Sequence, residues 1–75
     1  IMITSSFKRD VKLVVWSLNG EKIITLLDDE LYPGYHVFKW NGKNTMGERV
    51  SSGIYFCSLI WKNDITETKK LIYFH

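Results

Sequence analysis

Seventy-five residues allow one domain, and a chain this short buries a modest fraction of its surface, so its stability is marginal unless something adds to the core. The single cysteine, Cys57, excludes an internal disulfide, and the two histidines, His36 and His75, are too far apart to suggest a metal site. Ten Lys and Arg against eight Asp and Glu leave a net charge of +2, weak support for nucleic-acid binding, and no apolar run nears the ~18 residues of a membrane-spanning helix.

Three Trp, four Tyr and four Phe are therefore expected to supply the core. Ile1 in place of an initiator methionine points to a piece of a longer protein, and Ile1-Met2-Ile3 is too short for a signal peptide.

Residues 1–7 are β-branched and aromatic enough for a short first strand. In 11–18 Val11, Leu13 and Val15 alternate with Lys12, Val14 and Trp16, the period of a strand. Asn19-Gly20 predicts a type I′ turn, with 21–27 as the partner strand. Asp28-Asp29-Glu30 reads as an acidic break, and Pro33-Gly34 as a type II turn. In 34–40 His36, Phe38 and Trp40 share one face, and Tyr35, Val37 and Lys39 the other. Asn41-Gly42 is a second turn. The polar stretch 43–52 holds a short strand around Glu48–Ser51, with Met46 and Val50 tucked inward. Residues 53–63 are the most apolar and form a central strand. After a turn at Asn63-Asp64, residues 65–75 close the chain as a strand with no clean face. No segment has convincing helical spacing. About seven short strands separated by turn signals predict an all-β chain, an antiparallel sandwich or small barrel.

Each candidate for chemistry has a plainer explanation. Asp28, Asp29 and Glu30 lack the alternate spacing of a calcium loop, because neighbouring side chains diverge. His36 alternates with Phe38 and Trp40 and has no nucleophile placed beside it. Cys57 lies in an apolar strand, where a thiol is inert. Gly42 and Gly47 lack the Gly-Lys-Ser/Thr ending of a phosphate loop. The aromatics alternate within strands, as core residues do, rather than forming a platform for stacked bases. With no acid, base or nucleophile assigned, no enzyme is expected, and neither a cofactor nor a metal.

Four pieces in order then resemble a known family: VKLVVWSLNGEKIITL (11–26), PGYHVFKWNGKNTMGERVSSGIYF (33–56), CSLIW (57–61) and KKLIYFH (69–75). Together they look like the C-terminal sorting domain, type A, of proteins exported through the type IX secretion system. They are similar also to the immunoglobulin-like domain of the flagellar hook-capping protein. The shared marks are Ser17 to Gly20, the Gly34-Tyr35-His36 to Trp40-Asn41-Gly42 segment, and Ser52-Gly53-Ile54-Tyr55-Phe56. Gly20, Gly34, Trp40, Gly42, Gly53 and Tyr55 are thus a structural signature. The closing Lys69-Lys70-Leu71-Ile72 favours the sorting domain. Asn41 departs from the family's usual Asp, and His75 from its basic end.

The resemblance implies an immunoglobulin-like antiparallel β-sandwich of about seven strands over residues 1–75, at the C-terminus of a larger exported protein. It implies a non-catalytic secretion signal that directs a cargo through the outer-membrane translocon to the cell surface or medium. The expected partners are a secretion-machinery protein, translocon or shuttle, and the N-terminal cargo domain, with no nucleic acid, no membrane insertion and a monomeric state. The expected recognition residues are Lys69, Lys70, Leu71 and Ile72. Two alternatives stay open: a structural interaction module like the hook-capping domain, and a carbohydrate-binding sandwich using Trp16, Trp40 or Trp61.

Overall fold

The computed structural model describes residues 1–75. The core is laid down by β2 (Arg9–Ser17), where Val11, Leu13 and Val15 are all buried, Val15 completely. On one side β2 pairs antiparallel with β3 (Lys22–Leu31), on the other with β5 (Gly53–Trp61), which brings Val11, Leu13 and Val15 opposite Trp61, Leu59 and Cys57. Strand β6 (Asp64–Tyr73) pairs with β5, giving a four-stranded sheet in the order β3-β2-β5-β6. The short β1 (Met2–Ser5) and β4 (Gly34–Val37) form a second, two-stranded antiparallel sheet. Ile3 from β1 joins Leu31 and the inward residues of β2 and β5 in one apolar cluster. The chain is all-β, two antiparallel sheets facing across that cluster.

The expected alternation in 34–40 is present: His36, Phe38 and Trp40 are half-buried, while Tyr35, Val37 and Lys39 are exposed. The strand itself ends at Val37, although Phe38 still exchanges backbone bonds with Ile1 in both directions.

Six strands form rather than seven. The expected strand at Glu48–Ser51 is only a single bridge, Lys43 with Arg49. The loop prefers local closure: the Asn44 side-chain oxygen accepts from the Met46 and Glu48 amides. Val50 packs on the core as expected, but Met46 is 83% exposed, because Asn44 turns the chain outward there. The acidic break also fails. Asp28, Asp29 and Glu30 belong to β3, opposite Lys12, Val11 and Asp10, because pairing with β2 outweighs their weak strand propensity on an exposed edge.

The turns redistribute as well. At Asn19-Gly20 only the glycine has positive φ, +85°. The Gly20 amide donates to the Ser17 carbonyl and the Ser17 amide to Glu21, so the loop is a three-residue type I turn with a glycine bulge, not type I′. The type I′ geometry occurs instead at Lys62-Asn63, where both residues have positive φ, 54° and 65°. At Pro33-Gly34 φ is +124°, far from the ~+80° of a type II turn. The Tyr32 carbonyl accepts from His36 Nε2 at 2.6 Å rather than from a backbone amide.

The last strand's mixed pattern has a simple cause. A bulge between the pairs Ile60–Ile65 and Leu59–Glu67 puts Ile65 and Glu67 on opposite faces, although they are two apart. Beyond it the register is regular to Tyr73.

Candidate functional site

The chain has one sizeable depression, an open cleft of about 410 Å³ between the two sheets. One wall is the chain after β4, Phe38 to Trp40. The other is the end of β6, Lys70 to Tyr73, with Ile1 completing it. That volume falls within the range of small binding clefts, ~300–1,000 Å³.

Its floor is built by the signature residues. Trp40 lies edge-on to Tyr55 at 4.9 Å and tilted against Tyr73 at 5.2 Å. The indole Nε1 donates to the Lys43 carbonyl at 2.9 Å, so the loop after β4 fixes the ring. The Tyr55 hydroxyl donates to the Ser51 carbonyl at 2.6 Å, and Arg49 Nη1 to the Tyr73 hydroxyl at 2.8 Å. Gly42 is buried beneath Tyr73 with φ +77°, and Gly53 is the cross-strand partner of Tyr73. Trp40, Gly42, Gly53 and Tyr55 thus converge on one ring. Gly20 and Gly34 lie apart, in the β2–β3 loop and at the start of β4.

The four tail residues do not share one surface. Lys70, Leu71 and Ile72 line the cleft, but Lys69 turns away. Its ammonium donates to the Met2 carbonyl at 2.9 Å and lies 3.5 Å from Glu67, tying β6 to β1. Within the cleft Lys39 and Lys70 are the charged side chains, and no carboxylate lines it. Tyr73, Phe38 and Arg49 are site residues the sequence reading missed. The signal for Phe38 was its shared face with Trp40, whereas Tyr73 and Arg49 meet only through the fold.

The other candidates disperse. His36 is held by the Tyr32 carbonyl. Burial pushes the Cys57 thiol up to about 11, the N-terminal ammonium and Lys69 opposing weakly, so it stays protonated at neutral pH. Glu30 pairs with Lys8 at 3.1 Å rather than closing on Asp28 and Asp29. No three His, Cys, Asp or Glu side chains are grouped to hold a metal ion, and no helix is long and apolar enough to cross a membrane.

Fold and cleft together give an all-β chain of two antiparallel sheets, consistent with a β-sandwich, whose last strand is an open edge beside a cleft lined by six apolar side chains and two lysines. Comparisons with protein families, curated proteins and solved structures found no match.

Proposed function

We propose that this chain is a non-catalytic, immunoglobulin-like sorting module, which directs an exported protein through the type IX outer-membrane translocon. The observation that carries this reading is the position of β6. The lysine-rich last strand is an edge of the larger sheet, and its end forms one wall of the cleft. A receptor can reach Lys70 and Ile72 without the sandwich unfolding, since both are exposed. Support for the immunoglobulin-like topology comes from Tyr55. It stands near the start of its strand, two residues before the buried Cys57, and its hydroxyl reaches back to the Ser51 carbonyl. That is the arrangement of the tyrosine corner in such sandwiches.

The decisive experiment fuses residues 1–75 to a reporter exported to the periplasm of a bacterium with this secretion system. Release of the reporter to the surface or medium is expected. Retention in the periplasm, with the domain folded, overturns the reading. The sugar-stacking alternative has less support: all three indoles are half-buried, Trp40 packed on tyrosines and Trp61 flanked by Arg9, Lys62 and Phe7.

A further inference from the structure

The two edges of the four-stranded sheet are finished differently. The β3 edge is obstructed. It carries two register shifts and three consecutive acids, and the Thr45 amide and hydroxyl both donate to the Ile23 carbonyl. Bulges, charges and a covering loop are the usual means of blocking strand addition. The β6 edge has no cover: none of its backbone N–H or C=O groups bonds to any backbone other than β5. In an antiparallel strand every second residue turns both groups away from its neighbour. From Glu67 to Tyr73 the register is unbroken, so those outward groups form a regular row.

From this we infer that the β6 edge binds an extended segment of a partner protein as an added strand, with alternating apolar and acidic side chains. The alternation follows from what flanks the edge. On the inner side Glu67 and Lys69 already pair with each other, and beyond them Leu71 and Tyr73 face the cleft opposite the apolar side chains Phe38 and Trp40. Side chains of an added strand that point this way beside Leu71 and Tyr73 are matched by apolar groups. The opposite set lies on the outer sheet face beside Lys70, which stands between Thr68 and Ile72, and no carboxylate lines the cleft to compensate it or Lys39 across the way. Acidic side chains complement that set. A second copy of this chain is a poorer occupant, because the outer face of its own β6 carries Ile65, Thr68, Lys70 and Ile72 and so offers no acid to set against Lys70. Backbone bonds supply affinity and the side-chain pattern supplies selectivity, as in other strand-addition complexes.

This inference deepens the sorting reading and rests on it for the partner's being a secretion-machinery protein. Its test is independent of that reading. The probes are two synthetic ten-residue peptides, one alternating valine with glutamate and one alternating valine with lysine, titrated into the folded 75-residue chain. Amide hydrogen exchange is followed by NMR, and affinity by Trp fluorescence. The glutamate peptide is expected to bind at least about tenfold more tightly, a difference of one decade in Kd. It should slow exchange at outward-facing β6 amides and leave β3 unchanged. Replacing its central residues with proline, which removes backbone donors, should abolish binding. Lys70→Glu, at an exposed position, should reverse the preference, with unchanged exchange in β5 showing that the variant is folded. Equal binding of both peptides, no binding, protection at β3, or concentration-dependent protection of β6 without peptide would each overturn the inference, the last in favour of a second copy. Reporter export without peptide binding sinks only the strand-addition mode, whereas peptide binding without export sinks only the sorting role.

Discussion

The Tyr73 ring lies over Gly42 so closely that a Cβ at the glycine would overlap it. Gly42 also has φ +77°, a region costly for other residues. Two independent penalties therefore meet at one position, local strain of ~1–3 kcal/mol and overpacking of ~1–3 kcal/mol. Gly42→Ala is expected to destabilise by about 2–6 kcal/mol, a large share of the stability of so small a domain. Tyr73→Ala in the same chain removes the overlap but not the backbone strain. The double variant should thus lose less than the sum of the singles, by about 1–3 kcal/mol in urea unfolding. Strict additivity would mean that ring and glycine do not touch.

That contact also explains what was legible in the sequence. Local patterns predicted β2, with Val11, Leu13 and Val15 on one face, because period-two alternation depends on nearest neighbours alone, and β5 from its apolar run; which of their residues are buried came with the fold. Asn41-Gly42 was legible as a turn, yet the reason its glycine is confined, Tyr73, lies thirty-one positions later. The pairing of Asp28–Glu30 with β2 was hidden for the same reason: three acids in sequence read as a break until register supplies partners. The bulge in β6 switched faces in mid-strand and erased the periodicity on which a reading of the last strand depends. The cleft draws on Ile1, Phe38–Trp40 and Lys70–Tyr73, three segments whose nearness is a property of the two packed sheets and of no single motif.

Cys57 gives a pH signature. Its pKa rises from an ordinary 9.0 to about 11 because burial disfavours the thiolate. The unfolded chain ionises first as pH rises, so the stability tied to the neutral thiol is fully present below about pH 9. It is lost progressively as pH climbs through about 11. Two pKa steps correspond to about 2–3 kcal/mol. Because lysines and tyrosines titrate in the same window, the readout is the difference between wild type and Cys57→Ala in denaturant melts. That difference should be flat to about pH 9 and then shift by about 2–3 kcal/mol against the wild type. A pH-independent difference would show that the thiol titrates normally.

Tyr55→Phe isolates the hydroxyl of the corner. The ring and its contacts with Trp40 and Tyr73 are kept, and only the 2.6 Å bond to the Ser51 carbonyl is removed. Ser51 is exposed, so water can satisfy its carbonyl, and the loss should be an ordinary hydrogen bond, about 0.5–1.5 kcal/mol. Tyr55→Ala removes a buried aromatic residue, 8% exposed, and should cost about 3–5 kcal/mol, as other large aromatic truncations do. It should also red-shift Trp40 emission as the cleft floor opens to water. A phenylalanine variant as unstable as the alanine variant would mean that the hydroxyl, rather than the ring, anchors the corner.

The β5–β6 hairpin turns through Lys62 and Asn63, both at positive φ. Left-handed backbone costs an ordinary residue ~1–2 kcal/mol, while Asn tolerates it better and Gly adopts it freely. Lys62 carries the larger strain but also places its ammonium 4.8 Å from the Trp61 ring, an exposed cation–π contact worth ~0.5–1 kcal/mol. Lys62→Asn therefore trades one term for another of similar size and should leave stability within about 0.5 kcal/mol of wild type. Asn63→Gly relieves strain without disturbing Trp61. It gives back part of the gain through the greater entropy of the unfolded glycine, and the net should be a stabilisation of about 0.5 kcal/mol. Equilibrium unfolding of the two single variants checks the order. If Lys62→Asn stabilises more than Asn63→Gly, the contact with Trp61 contributes nothing and the strain at Lys62 alone governs the turn.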